Sequence, residues 1–514
     1  MSTSLTADPS HASADPLPRL AVRTIALDVT SVTAAATTSG PVPSASTLRR
    51  VLTLLVADLA TALDAAVEGA VRVDHGPRHD LSSPQPPRLS TWWREGEGLV
   101  AWGEAARLTT PADARRTTSA RWDALVARCT VHDEVGGTGV GTGTAPAGTG
   151  LVAFGSFAFD DASVHGGVLV VPRVLVGYRD GRAWLTTVVP LGSASAGAVA
   201  SEVVRAALRR AAAAAGLWEE TRPGPGHVRE DLPATDWRQV VRAALGAIDD
   251  GEAEKVVAAR ALTAHGERAV DPAWLVDRLA PAYPECWTFS VDGLVGATPE
   301  LLVRLEDREV TSRVLAGTLP RTDHESGAPH DDGSSTQARA IGAHLFASAK
   351  DRAEHEFAVA SVTASLRTVC DEVTAPAQPF PLVLPNVIHL ASDVHGTLAA
   401  TWPAEQRPSA SLRVAAAMHP TAAVCGTPTD AATRIIRRIE GMDRGRYAGP
   451  VGWVDAHGDG EWGIALRSAE IDPQDPARVR LFAGCGIVAG SDPDVELTES
   501  EAKLVPLREA LGIR

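Results

Sequence analysis

Pro450-Val-Gly-Trp-Val454, Glu461-Trp-Gly-Ile-Ala-Leu-Arg-Ser-Ala-Glu-Ile471 and Val479-Arg-Leu-Phe-Ala-Gly-Cys-Gly-Ile-Val488 carry the strongest strand signal of this 514-residue chain. Val, Ile, Trp and Phe suit a pleated, half-buried surface. His457-Gly-Asp-Gly460 supplies a turn between the first two, so the three read as a meander with Arg467 in its central strand. Asp492-Pro493 then opens a helix, an N-cap followed by proline at the first helical position. Pro506 should kink that helix.

Working upstream, Leu301–Leu305 and Glu309–Leu315 read as paired strands, and Glu254–Leu262 as a strand. Trp237, Val240, Val241, Ala244, Leu245 and Ile248 recur at helical spacing, with Thr235 or Asp236 as N-cap and Gly251 near the end. A helix is expected over Thr336–Val373. The other half offers a strand at Arg19–Asp28, a helix at Leu48–Val67, and strand-like segments at Leu99–Trp102, Leu151–Phe159 and Gly167–Tyr178. An Ala-rich helix over Ala194–Leu217 leads to a Pro/Gly-rich joint at Arg222–His227. Residues 1–18 read as a disordered tail. Gly136–Gly150 contains neither a GxGxxG nor a Lys-Ser/Thr, so it reads as a flexible surface insertion.

Composition narrows the function. A net charge of −15 argues against nucleic-acid binding, and an anionic substrate would have to be held by local cations. Five scattered cysteines without CxxC spacing fit reduced thiols in the cytoplasm. The start lacks the basic and apolar run of a signal peptide, and no stretch approaches a membrane span.

Two acidic clusters stand out, Lys350-Asp-Arg-Ala-Glu-His-Glu356 and Glu496-Leu-Thr-Glu-Ser-Glu-Ala-Lys503. Asp351 and Glu354 share one helix face; Glu496, Glu499 and Lys503 share another. Carboxylates presented by two rigid helices are how Mg²⁺ is commonly held, although the same spacings also describe a solvated helix face. Lys255 lies in the apolar run Lys-Val-Val-Ala-Ala-Arg, on the face of Val257 and Ala259; it reads as a base in a desolvated setting or as an edge-strand lysine. Glu300, between a turn and an apolar strand, reads as a general acid or an exposed turn residue.

The ordered motifs Glu254-Lys-Val-Val-Ala-Ala-Arg, Ala297-Thr-Pro-Glu-Leu-Leu, Leu315-Ala-Gly-Thr, Ala349-Lys-Asp-Arg-Ala-Glu-His, His419-Pro-Thr, Arg446-Tyr-Ala-Gly-Pro-Val-Gly-Trp, Ala465-Leu-Arg and Phe482-Ala-Gly-Cys-Gly-Ile-Val resemble those of the chorismate-utilising enzymes. The resemblance covers about residues 230–512 and is closest to the isochorismate synthases. It implies an α+β fold, an α/β sandwich of two stacked, largely antiparallel sheets flanked by helices. One domain over 19–514 is expected, with 19–229 completing the sheets and 230–514 carrying the chemistry.

The resemblance also implies roles. Lys255 occupies the place of the lysine that activates water, where the ammonia-using branch has glutamine. Ala316 stands where aminodeoxychorismate synthases carry a nucleophilic lysine. Glu300 would be the general acid. Glu354 and Glu499 would hold Mg²⁺ on the ring carboxylate of chorismate, with Glu496 on a metal-bound water and Lys503 offsetting the charge. Gly317 and Thr318 would face that carboxylate, Arg467 and Tyr447 would clamp the enolpyruvyl carboxylate with amides near Gly484 and Gly486, and His389 and Ala423 would line the ring pocket. His419 would shape the loop before Ala423, and His355 is open between a supporting hydrogen bond and no role. The expected enzyme is a Mg²⁺-dependent isochorismate synthase of the menaquinone or siderophore type, leaning to menaquinone, without nucleic-acid, membrane or glutaminase partner, as monomer or homodimer. Salicylate synthase and a noncatalytic chorismate-binding subunit are the alternatives.

Overall fold

The computed structural model describes residues 17–28, 32, 44–70, 89–111, 115–135, 145–193, 201–218, 224–231, 236–320 and 348–513. Two large sheets organise them. The larger, of 13 strands, runs in the order Val228–Glu230, Lys255–Gly266, Arg478–Val488, Ser468–Ile471, Leu294–Thr298, Trp287–Val291, Leu89–Arg94, Glu97–Trp102, Val174–Arg179, Arg182–Pro190, Leu20–Leu27 and Thr130–Asp133. The two-residue strand Gly426–Thr427 joins its Lys255 end. The smaller, of 10 strands, runs Cys370–Thr374, Val387–Leu398, Glu309–Pro320, Leu301–Glu306, Gly460–Ile464, Pro450–Asp455, Val152–Phe157, Gly167–Val171 and Ala106–Thr110, with Phe380–Val383 added on Val387–Leu398. Among the described strands, Leu20–Leu27 with Thr130–Asp133 forms the parallel pair.

Strands from the two halves of the sequence interleave. Leu89–Arg94 pairs with Trp287–Val291, and Val152–Phe157 with Pro450–Asp455. Between the sheets, Trp92, Leu99 and Phe289 of the larger pack with Phe154, Val451 and Trp453 of the smaller. Helices Ala45–Ala70, Ser201–Ala215 and Pro272–Ala282 cover the larger sheet through Val51, Leu55, Ala207, Leu275 and Leu279. Burial of these apolar faces is the main force holding the layers together.

A buried charge ties the sheets as well. Glu461, on the smaller sheet, accepts hydrogen bonds from Trp92 Nε1 (2.8 Å), Trp287 Nε1 (3.0 Å) and Arg179 Nη2 (2.6 Å) of the larger. Burial alone would raise its pKa, but Arg304 and Arg179 with those donors outweigh it and bring it to about 2.

Several local expectations give way to this architecture. Gly167–Tyr178 is two strands, broken at Pro172-Arg173, that belong to different sheets. The meander likewise splits: its first two strands lie in the smaller sheet, and Ser468–Ile471 and Arg478–Val488 in the larger. Arg467 sits at that crossover, with φ at 47°, and not within a strand. The acidic-cluster helix is Ala349–Leu366, followed by the strand Cys370–Thr374, and 336–347 lie outside the described residues. The Ala-rich helix is described from Ser201; 194–200 lie outside. Residues 1–16 and 136–144 also lie outside, but Pro146–Gly150 is buried, contrary to a surface insertion. Gly148 donates its N–H to Asp455 Oδ2 (3.0 Å), and its carbonyl accepts from Trp184 Nε1 (3.0 Å).

The last helix runs unbroken from Pro493 to Leu511, through Pro506. Proline removes the donor that the carbonyl four residues earlier, Ala502, would need. Asn386 Nδ2 donates to that carbonyl at 2.7 Å and satisfies it from outside the helix.

Candidate active site

The strand Lys255–Gly266 lies along Arg478–Val488 over its length, with Val257 opposite Gly486 and Ala259 opposite Gly484. This register places the lysine end beside two glycines. A Cβ on Gly486 would lie 2.4 Å from Glu354 Oε1 and 3.0 Å from Lys255 Cε, so the missing side chain is the space those groups occupy. Gly486→Ala is expected to displace both and cut turnover by about 10²-fold, with the thermal midpoint little changed; steady-state kinetics and a melting curve check it.

On its other edge the lysine strand is paired, among the described strands, only at its ends, by Gly426–Thr427 and Val228–Glu230. Side chains and loops fill part of the gap. Glu440 Oε1 accepts the Ala259 N–H (2.7 Å), and Arg444 Nη2 donates to the Val257 carbonyl (2.6 Å). Arg444 Nη1 also reaches the Val424 carbonyl (3.1 Å), beside Ala423, while Nε bonds Glu440 Oε2 (2.9 Å). Both residues are buried. This pair fixes the lysine strand and the Ala423 loop to one another. Arg444→Met would leave Glu440 buried without its counter-ion, a loss of about 3–5 kcal/mol, visible as a lower denaturation midpoint.

The cavity above this strand is lined by the backbone from Val257 to Ala259, and by Glu300, Gly317, Glu354, His389, Ala423, Tyr447, Arg467, Gly484, Gly486, Glu499 and Lys503. Most of the candidate site residues thus meet in one place. Lys255 is fully buried beneath it, Nζ 3.0 Å from Glu354 Oε1 in an ion pair without hydrogen-bond alignment. Glu496 is buried behind Glu499: carboxylate oxygens of the two and Cys485 Sγ lie within 4.8 Å of one another. The backbone of Thr318 pairs with His389 in the sheet, and Gly317 forms the irregularity before it with φ at 77°. The side chains of Thr318 and Asp351 lie outside the described residues.

Charge in the cavity is arranged in opposed pairs. Lys503 Nζ donates to Glu499 Oε1 (2.6 Å) and to the Gly484 carbonyl (2.9 Å). Burial lowers the Lys503 pKa, but Glu499 and neighbouring groups more than reverse that, so the ammonium is firmly held. Arg467, buried, donates through Nη2 to His389 Nε2 at 3.0 Å. Burial, with Arg467 and Lys503 nearby, holds the His389 pKa well below its ordinary value; the neutral ring accepts this bond. The positive φ of Arg467 places it in a region that costs about 1–3 kcal/mol and aims its fork into the cavity. Tyr447 stacks on Phe482, ring centroids 4.9 Å apart, and burial pushes its phenol up to about 12. Glu300 makes no ion pair below 4 Å among the described residues, and burial raises its pKa to about 8 against the pull of Lys255, Lys503 and Arg467.

His355 Nε2 contacts Ser392 Oγ at 2.8 Å, a supporting position behind Glu354. His419 Nε2 donates to the Ala448 carbonyl (2.9 Å), steadying the segment before Ala423. Eight tryptophans are fully buried and belong to the core. Sequence reasoning missed Glu440, Arg444 and Cys485. Glu440 and Arg444 stand at i, i+4, a spacing that normally marks an exposed pair.

The profile of the family described as chorismate binding enzyme matches residues 82–512. The isochorismate synthase DhbC of Bacillus subtilis is 37% identical over 310 residues, 57% of this chain and 73% of that protein. The salicylate biosynthesis isochorismate synthase of Pseudomonas aeruginosa is 35% identical over 280 residues, 54% of each chain. Among solved structures, the menaquinone-specific isochorismate synthase MenF of Escherichia coli aligns with a TM-score of 0.62 at 26% identity, over 88% of this chain and 100% of that one. Anthranilate synthase component I of Streptococcus pneumoniae, at 19% identity and a TM-score of 0.54, shares the fold. The chain therefore belongs to the chorismate-binding enzymes, as a chorismate-utilising enzyme whose homologues are isochorismate synthases.

Proposed function

We propose that this protein is an isochorismate synthase: it converts chorismate reversibly to isochorismate by adding water at ring carbon 2 and releasing the carbon 4 hydroxyl as water. The observation that carries the reading is Glu300, raised to about 8 and so protonated at neutral pH, facing the cavity that the Lys255 strand underlies. A base and an acid whose environments differ are what such an exchange requires. In the reacting complex Lys255 takes a proton from the attacking water; the double bonds shift; Glu300 gives its proton to the departing hydroxyl. Return of the proton from Lys255 to Glu300 closes the cycle.

Arg467 and Tyr447 hold the enolpyruvyl carboxylate, the guanidinium suiting a planar carboxylate, with amides near Gly484 and Gly486. Gly317 and Thr318 face the ring carboxylate, Lys503 offsets the local negative charge, and His389 and Ala423 wall the ring. Glu354 and Glu499, with Glu496 through a water, would hold Mg²⁺; their hard oxygen donors fit it, and each of the first two faces a lysine that balances charge. When bound, the ion neutralises and orients the ring carboxylate. We further propose that residues 19–514 act as one domain, 19–229 completing the sheets around the catalytic part 230–514. It works in the cytoplasm without a glutaminase subunit, since water is the nucleophile; five unbridged cysteines support the compartment. No described helix is long and apolar enough to cross a membrane. Menaquinone biosynthesis is the route we assign, on the resemblance of the extended N-terminal half.

The test is product analysis of purified protein with chorismate and Mg²⁺. Isochorismate alone supports the reading. Salicylate with equal pyruvate would make the protein a salicylate synthase, and unchanged chorismate a binding subunit.

A further inference from the structure

A second cavity, of about 570 Å³, lies behind the Tyr447–Phe482 wall of the active site. Its polar rim carries Arg107, Arg446, Arg478, Arg480 and His165 against Asp292, Glu470 and Asp472. In a chain of net charge −15, a lining with four guanidiniums to three carboxylates runs against the background. The carboxylates are already committed. Asp292 holds Arg107 at 2.8 Å and Arg446 at 3.4 Å, Glu470 holds Arg446 at 2.8 Å, and Asp472 is 3.5 Å from Arg478.

Arg480 is the cation left over. Its hydrogen bond goes from Nη2 to the backbone carbonyl of Asp443 (3.2 Å), and no carboxylate lies within ion-pair distance of it among the described residues. The Asp443 carboxylate is taken by Ser163 Oγ (3.0 Å) and the N–H groups of Val164 (3.1 Å) and Gly445 (2.8 Å). The exposed His165 also lines the cavity, its ring beside Gly445. Apolar Gly167, Val168, Ile471 and Pro473 form part of the wall. A cavity of this size, with charged groups converging beside a short apolar wall, is large enough for a small molecule.

Position gives the cavity a route to the chemistry. The Arg480 guanidinium lies over the Phe482 ring at 4.9 Å, and Phe482 stacks on Tyr447 at 4.9 Å. Arg446 on the rim directly precedes Tyr447 in the chain. We propose that this cavity is a second binding site, for a small aromatic carboxylate: the carboxylate meets the open edge of Arg480 with His165, and the ring lies on the apolar wall. An occupant draws Arg480 toward itself and so bears on the Phe482–Tyr447 stack that lines the active site.

The probe is 2-hydroxybenzoate, titrated by calorimetry into the full-length wild type, Arg467→Gln, Arg480→Gln and His165→Gln, each checked for folding by circular dichroism. Binding of one equivalent that survives Arg467→Gln in the active site, weakens at least about tenfold in Arg480→Gln and weakens in His165→Gln is the expected result. His165 is exposed, so that variant remains informative should Arg480→Gln fail to fold. Binding lost in Arg467→Gln but intact at Arg480 and His165 would place the probe in the active site, and no binding up to about 10 mM would equally overturn the proposal.

Discussion

Lys255→Ala is expected to lower kcat by about 10²–10⁴-fold, the range a positioned general base supplies, while the protein still binds chorismate. The lysine has little else to do there: its side chain is fully buried, in contact with Glu354 at 3.0 Å, under a strand held by Arg444 and Glu440. Alanine also opens a void and removes the counter-ion of Glu354. Lys255→Met separates the void from the loss of the amine, because it keeps the volume and removes only the charged group. Both variants should lose turnover alike. If Lys255→Met kept near-wild-type kcat, the base would have to be sought elsewhere in the cavity.

Glu300→Gln should cost a similar factor of about 10²–10⁴ in kcat and yet make the protein more stable at alkaline pH. The folded carboxyl titrates near 8, above its ordinary 4.5. Between those values the folded state holds a proton that the unfolded state has lost, so this group's contribution is full below pH 4.5 and declines as pH rises to 8. At about 1.4 kcal/mol per pH unit, the decline amounts to a few kcal/mol across the window. Glutamine keeps the shape and cannot ionise, so the decline should flatten. Denaturant unfolding of both proteins at pH 5 and pH 9 measures it. Equal pH dependence in the two would mean that Glu300 does not carry a raised pKa. The same value gives the activity an alkaline limb near pH 8, where the acid loses its proton.

The parts of the site that could be read in advance were those where residue chemistry conflicts with its surroundings. A lysine at the head of Val-Val-Ala-Ala and a glutamate before Leu-Leu are costly unless used, and both are buried, Glu300 in the cavity wall and Lys255 beside Glu354. The N-cap at Asp492 is equally local: its Oδ1 accepts the N–H groups of Asp494 (2.9 Å) and Val495 (3.1 Å). Sheet membership is not local. Gly460–Ile464 and Ser468–Ile471 read as one continuous strand run, and only packing between layers sends them to different sheets, leaving Arg467 at the crossing. Pro506 shows the same limit, because the donor that lets the helix continue comes from Asn386, more than a hundred residues away. The overall fold was legible through ordered motifs resembling a family, whereas strand periodicity alone joined strands that belong apart.

The central claim is that water from solvent supplies the new hydroxyl, activated over Lys255. Running the reaction in ¹⁸O-labelled water with Mg²⁺ and analysing early product by mass spectrometry tests it most directly. One labelled oxygen in isochorismate, at ring carbon 2, is the predicted result. Unlabelled isochorismate would mean that the substrate's own hydroxyl migrates, and would contradict the roles given to Lys255 and Glu300.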